Sequence, residues 1–289
     1  MTRTRSSLSV RRPARRLALP LAAVVAALAV ALSACSGGGP RATSSTTGSG
    51  AQSAGTSLAD VRKAGVLKVG TEGTYRPFSY HQGGNGKLTG YDVELVQAVA
   101  RKLGVRASFD ETQWDAIFAG LDAGRFDVIA NQVSINPERK ATYAFSTPYT
   151  VSRGVVVTTK DDHAIKSFKD LSGKTTAQSL TSNWYQLAKK AGANVQPVEG
   201  WAQAVTLLKQ GRVDATVNDQ LTFLDYQKTE HDTALKIATT TSDEASNAFA
   251  FRKGSTSLVT AVDKALAQLR ADGTIARISK KYFGKDVSR

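Results

Sequence analysis

Two charged side chains, Arg139 and Asp219, are of types and spacing that could meet opposite charges on a small molecule. Arg139 belongs to Ser134-Ile135-Asn136-Pro137-Glu138-Arg139-Lys140. Asn136-Pro137 reads as a helix N-cap with proline at the first helical position, which puts Arg139 in the first turn. Ser134 and the free backbone N–H groups there can receive an anion, helped by the helix dipole, and a guanidinium adds a two-pronged fork for a carboxylate. Asp219, in Asn218-Asp219-Gln220-Leu221, follows a strand-like run and can offer the opposite charge. An arginine and an aspartate facing one another across a gap complement a zwitterion. Tyr75 and Trp114 stand near expected strand ends, where aromatic rings could flank an aliphatic part of a ligand. Plainer readings stay open: a solvated first-turn Arg139, Asp219 as a simple N-cap, and the aromatics, with Trp201 and Phe223, as core packing.

The sequence offers little for other chemistry. There is no G-x-S-x-G, Walker, G-x-G-x-x-G or H-E-x-x-H pattern. The one cysteine excludes an intrachain disulfide, and His81, His163 and His231 lack metal-ligand spacing and read as solvated surface. No cofactor or metal is expected. Gly83-Gly84-Asn85-Gly86 reads as a hairpin turn rather than a phosphate loop.

These residues depend on an alternation of strand-like and helix-like segments. Strands are expected at 66–70, 105–109, 126–130 and 213–217. Helices are expected at 91–103, 114–121, 184–190, 202–210, 256–269 and 274–283. Such alternation indicates an α/β fold with mainly parallel sheet. An internal repeat sharpens this. Trp114, Leu121, Gly124-Arg125-Phe126-Asp127 and Asn131 recur 87 residues later as Trp201, Leu208, Gly211-Arg212-Val213-Asp214 and Asn218. Each copy reads as helix, glycine stop, strand and polar loop, so two similar lobes are expected. Ligands of open α/β sheets sit beyond the carboxyl ends of strands, which points to the loops near Asn131 and Asn218.

The formal charge of +14 (38 Lys+Arg against 24 Asp+Glu) resembles a nucleic-acid footprint until its distribution is read. Six of the arginines lie in residues 1–34, which contain no acid. They precede an apolar run, Leu17 to Leu32, that is too short for a membrane span of about 18 residues or more. Arginines, apolar stretch and small residues form a secretory signal. Leu32-Ser33-Ala34-Cys35 resembles the lipobox of bacterial lipoproteins, which implies lipidation of Cys35. Residues 35–57, rich in Gly, Ser, Thr and Ala, read as a flexible tether. With the densest basic cluster removed at export, a nucleic-acid role is not expected.

Nine segments in order then resemble the polar amino-acid-binding proteins of bacterial ABC importers across about residues 58–287. They are Gly73–Ser79, Leu88–Leu95, Trp114-Asp115, Ser134–Lys140, Phe145–Tyr149, Phe168–Lys174, Gly211–Ala215, Asp272–Thr274 and Lys281–Gly284. The resemblance implies a two-lobed periplasmic-binding-protein-like fold of type II. One lobe would comprise residues 58–150 plus 243–289 and the other 151–242, joined by two hinge crossovers. It implies α-carboxylate binding by Arg139, ammonium binding by Asp219, an aromatic pair in Tyr75 and Trp114, and use of both backbone and hydroxyl at Ser134. The family's Gly-Thr-Thr-type loop aligns with Thr181-Ser182-Asn183, so Thr181 replaces a glycine; Ser182 and Asn183 become candidates, Asn183 through its N–H. Glu72-Gly73-Thr74-Tyr75 and Asn131-Gln132-Val133 look most like cystine-binding members, which adds Gln132 and Glu72, the latter suited either to a distal ammonium or to protein backbone. Implied partners are an amino acid, a permease with its ATPase, and the membrane through the lipid anchor. The expected protein is a monomer, not an enzyme, at the outer face of the cell membrane. A tethered sensor partner and a cyclohexadienyl-dehydratase-like enzyme are the alternatives.

Overall fold

The structure is a computed structural model that describes residues 54–288. The expected signal, Cys35 and most of the tether lie outside the described residues. In chain order the elements are α1 (Leu58–Ala64), β1 (Val66–Thr71), β2 (Thr74–Tyr75), β3 (Ser79–His81), β4 (Leu88–Thr89), α2 (Tyr91–Leu103), β5 (Arg106–Glu111), α3 (Trp114–Asp122), β6 (Val128–Ile129), α4 (Pro137–Thr142), β7 (Tyr143–Phe145) and β8 (Thr150–Thr159). After a 3-10 turn at Phe168–Leu171 come β9 (Thr175–Gln178), α5 (Asn183–Lys190), β10 (Asn194–Pro197), α6 (Trp201–Lys209), β11 (Ala215–Asp219), α7 (Gln220–Glu230), β12 (Leu235–Asn247), β13 (Ala250–Arg252), α8 (Thr256–Ala271) and α9 (Thr274–Phe283).

Among the described residues two five-stranded sheets form, ordered β5-β1-β6-β13-β7 and β10-β9-β11-β8-β12, with β2-β3-β4 as a small third sheet. In the first, only β13 opposes the other four strands, and in the second only β8 does. This is the two-lobed, mainly parallel α/β architecture that the alternation implies. β8 and β12 are long, antiparallel partners that carry the chain between the lobes.

Alternation of side chains across each pleat explains the layers. Val155 and Val157 pack with Trp201, Leu208 and Phe223 on one face of the second sheet, while Val156 and Val217 pack with Leu171 and Ala188 on the other. In the first lobe, Leu67 and Val69 meet Leu95, Val99, Leu258 and Leu266, and Phe126 and Ile129 meet Trp114, Ile117 and Leu121 on the opposite side. Gly70 lies directly over Phe126: a Cβ there would fall 2.4 Å from the ring. Gly70→Ala is expected to cost about 1–3 kcal/mol through overpacking, read as a lowered unfolding midpoint in urea with an unchanged slope.

Helices α2 and α9 have the expected bounds. The expected strand at 126–130 contracts to Val128–Ile129, and that at 213–217 shifts to Ala215–Asp219. The cause is the same in both copies of the repeat. Asp127 donates its N–H to the Lys68 carbonyl (2.9 Å) and accepts the Lys68 N–H on its carboxylate (3.0 Å). Asp214 does the same with Thr175, at 2.8 and 2.7 Å. A side chain stands in for the first ladder bond, so the strand begins later. Gly124 and Gly211 are left-handed in both copies, with φ of 73° and 67°. The glycine-rich segment at 83–86 joins β3 to β4 as a hairpin, and His81 at its root contacts the Gly86 carbonyl (2.7 Å) and Glu111 (2.8 Å).

The last residues of the expected tether are held against the first lobe. Arg252 donates to the Leu121 and Phe126 carbonyls (2.6 and 2.9 Å) and reaches the Ala54 carbonyl and the Thr56 hydroxyl. Thr56 also bonds Asp127 and Ser255, and Ser57 caps α1.

Candidate ligand-binding site

The two polar loops of the repeat face one another. Tyr75 donates its hydroxyl to Asn218 Oδ1 (3.0 Å) and accepts from the Thr222 hydroxyl (3.2 Å). Gln132 donates to Asp219 Oδ2 (3.2 Å), and Arg76 pairs with Asp225 (3.2 Å). Between the loops lies a cavity of about 220 Å³ whose wall includes Glu72, Tyr75, Trp114, Gln132, Ser182 and Asn183. A second cavity, of about 370 Å³, shares Ser182 and Asn183 and is lined by Arg139. Ser134 and Asp219 line neither cavity.

Arg139 is placed by its own loop. The Asn136 side chain accepts the Arg139 N–H at 2.7 Å, with Pro137 at the first helical position as expected. The guanidinium is 7% exposed. It donates to the carbonyls of Ser134 (2.9 Å) and Thr181 (3.3 Å) and lies 5.2 Å from the ring centres of Trp114 and Phe118. No carboxylate among the described residues pairs with it. Burial pulls its pKa down to about 10, so it remains a cation at neutral pH. A buried cation satisfied only by carbonyls and aromatic faces is suited to an incoming anion.

The acids show the converse. Asp219 is 1% exposed and does cap α7, accepting the Leu221 N–H (2.8 Å), while also taking the Ser152 hydroxyl (2.5 Å) and Gln132. Burial raises its pKa. Glu72, half-buried in the cavity wall, accepts from Asn131 Nδ2 at 2.5 Å, and burial lifts its carboxyl to about 7. Asp92, fully buried, accepts the Gln132 N–H and the Tyr149 hydroxyl (2.9 Å) and is likewise lifted to about 7 by burial. None of the three forms an ion pair among the described residues. Gln132 joins them because its backbone is left-handed, φ 49°, sending its N–H to Asp92 and its side chain to Asp219.

Three cavity-lining residues also carry buried polar atoms without a hydrogen-bond partner among the described residues: Trp114 Nε1, Gln132 Oε1 and Gln178 Nε2. The Ser134 hydroxyl bonds Asn247 Oδ1 (2.8 Å) and its carbonyl accepts from Arg139. Ser182 caps α5 through the Tyr185 N–H (3.0 Å), leaving Asn183 as the first helical residue. Sequence reasoning left Trp201 to the core and passed over Asp92, Gln178 and Trp184. Trp201 does pack on Phe223, yet it lines the cavity too. The signal for it was its match to Trp114 in the repeat. Asp92 and Gln178 carried no signal beyond lying in ordinary helix and strand patterns.

Glu72→Gln is expected to stabilise the ligand-free protein at pH 8, since a neutral amide replaces a carboxylate that burial disfavours. The same change is expected to weaken binding of any ligand with a second ammonium by about tenfold. Thermal melts and calorimetry with monobasic and dibasic amino acids read both effects.

The geometry has a clear family context. The profile of the bacterial extracellular solute-binding proteins, family 3, matches residues 67–285, and the chain belongs to that family. The L-cystine-binding protein TcyA of Bacillus subtilis is 55% identical over 231 residues, 80% of this chain and 86% of TcyA. Among solved structures, the L-cystine solute receptor of Neisseria gonorrhoeae, in an unliganded open conformation, is 47% identical. It covers 81% of this chain and 99% of its own, with a TM-score of 0.55. An ancestral arginine-binding protein bound to arginine is 38% identical, covers 76% and 99%, and reaches 0.72.

Proposed function

We propose that this protein is the extracytoplasmic substrate-binding protein of an ABC importer, which captures a polar amino acid, cystine foremost, between two closing lobes. It then hands the ligand to a membrane permease driven by an ATPase. The observation that carries this reading is Arg139, a buried guanidinium that pairs with no carboxylate among the described residues and lines one cavity, while Glu72 lines the other and the buried Asp219 bonds the cavity-lining Gln132. An α-carboxylate at Arg139 and an ammonium toward Asp219 would neutralise both. Glu72 and the unpartnered Gln178 amide suit a second ammonium and carboxylate, the chemistry that distinguishes cystine from simpler amino acids.

Closure is supported by an inversion in the comparisons. The more similar sequence, in an open conformation, superposes less well than the more distant one with its ligand bound. That is the pattern expected if this chain has the closed arrangement and the lobes move as bodies about β8 and β12. Family membership supports an extracytoplasmic location, and the signal and Cys35 support a lipid anchor. The naming of TcyA as a binding protein favours capture over turnover.

A thermal-shift screen of amino acids tests the reading. A ligand at about 100 times its Kd is expected to raise the melting temperature by about 5–10 °C, with cystine giving the largest shift and prephenate no turnover. A screen in which no amino acid moves the melting temperature would overturn it.

A further inference from the structure

We infer that Asp115 and Thr181 form a ligand-independent clasp between the lobes, a positioning pair that sets how firmly the cleft shuts on its amino acid. The inference rests on the closing motion proposed above. Asp115 is the second residue of α3, directly after the cavity-lining Trp114. Its carboxylate crosses to the loop before α5 and accepts three hydrogen bonds there: the Leu180 N–H (3.1 Å), the Thr181 N–H (2.9 Å) and the Thr181 hydroxyl (2.7 Å). From the other side Arg139 donates to the Thr181 carbonyl (3.3 Å). Thr181 is therefore gripped by an acid and a base, both from the first lobe. A glycine at this position would keep the N–H contact but lose the hydroxyl's.

None of these bonds involves a ligand, and none lies within a single lobe. Their free energy is available only when the lobes are together, so they favour the shut arrangement whether or not an amino acid is present. A larger fraction of shut protein before binding, and a slower opening after it, both tighten apparent affinity. Asp115 and Thr181 are exposed, so each bond contributes modestly, and the clasp tunes affinity without locking the cleft. Asp115 also lies in the first turn of α3, where a negative charge suits the helix dipole. Its replacement thus has a small intra-lobe cost that Thr181 variants avoid.

The test uses the full-length chain as Thr181→Val, Thr181→Ser and Asp115→Asn. Trp114, Trp184 and Trp201 all line the cavity, so intrinsic emission reports opening, and small-angle scattering gives the radius of gyration. Without ligand, Thr181→Val and Asp115→Asn are expected to show a larger radius and red-shifted emission than the parent. With cystine as probe, dissociation is expected to accelerate about tenfold with association little changed. Thr181→Ser, which keeps the hydroxyl, should match the parent. If Thr181→Val keeps the parent's ligand-free radius and cystine off-rate, the clasp is overturned. Should the parent itself bind no amino acid, the transport reading fails, while the ligand-free radii still decide the clasp. If Asp115→Asn does not fold, Thr181→Val decides alone.

Discussion

Arg139→Ala is expected to weaken amino-acid binding on the order of 100-fold or more. The guanidinium is buried, carries its charge at neutral pH and, among the described residues, has only the carbonyls of Ser134 and Thr181 as acceptors. A ligand carboxylate arriving there forms a desolvated, charge-assisted pair, and truncating one side of such a pair strands the other. Lysine is a poor substitute, because it cannot hold both carbonyls and a carboxylate with one planar fork. Isothermal calorimetry with cystine separates the outcomes. Near-native affinity in the alanine variant would remove Arg139 from the site. Decarboxylated amines, already lacking the group Arg139 receives, should bind parent and variant alike.

The second large effect is a pH dependence with opposite signs for stability and binding. Burial raises the folded-state pKa of Asp92 and Glu72 to about 7, against ordinary values of 3.8 and 4.5, and raises that of Asp219 as well. A group that holds its proton more tightly when folded stabilises the fold fully below its unfolded pKa. That stabilisation is lost as pH rises through the folded value. The ligand-free protein is therefore expected to melt higher at pH 5 than at pH 8, by on the order of 5 °C. Asp232 and Asp272, held down near 2 by Lys209 and Tyr226 and by Thr274 and Lys102 respectively, oppose this trend only below about pH 4. Binding runs the other way, because a ligand ammonium needs the ionised carboxylates. Affinity should fall between pH 8 and pH 5, by up to about tenfold per unit for each group that must lose its proton. Calorimetry in buffers of unlike ionisation heat should show proton release on binding. Melting temperatures and affinities that stay level across this range would contradict the electrostatic account of the site.

Much of the fold was legible because its signals were periodic. The bounds of α2 and α9 follow from apolar spacing and flanking glycines, and the 87-residue repeat located both polar loops. The Gly-Arg-x-Asp turn misled on strand starts, since a side chain replacing a ladder bond leaves no trace in hydropathy. Asp219 illustrates a false choice: it caps its helix and faces the opposite lobe with separate oxygens. Ser134 shows the limit for hydroxyls, whose partner here, Asn247, is 113 residues away and unforeseeable from spacing. Asp92 escaped notice because a carboxylate at a helix start is ordinary. Only the left-handed turn at Gln132 makes it part of the site.

The way Arg252 fastens residues 54–57 has a mechanical consequence. Its guanidinium ties the Ala54 carbonyl and the Thr56 hydroxyl to the same carbonyls that close off α3 and precede β6. A pull along the preceding chain would therefore be applied first to the lobe that holds Arg139 and Trp114. Under the proposed anchoring and closure, the protein would be moored by one jaw while the other swings without load, so drag on the anchor would not pry the bite open.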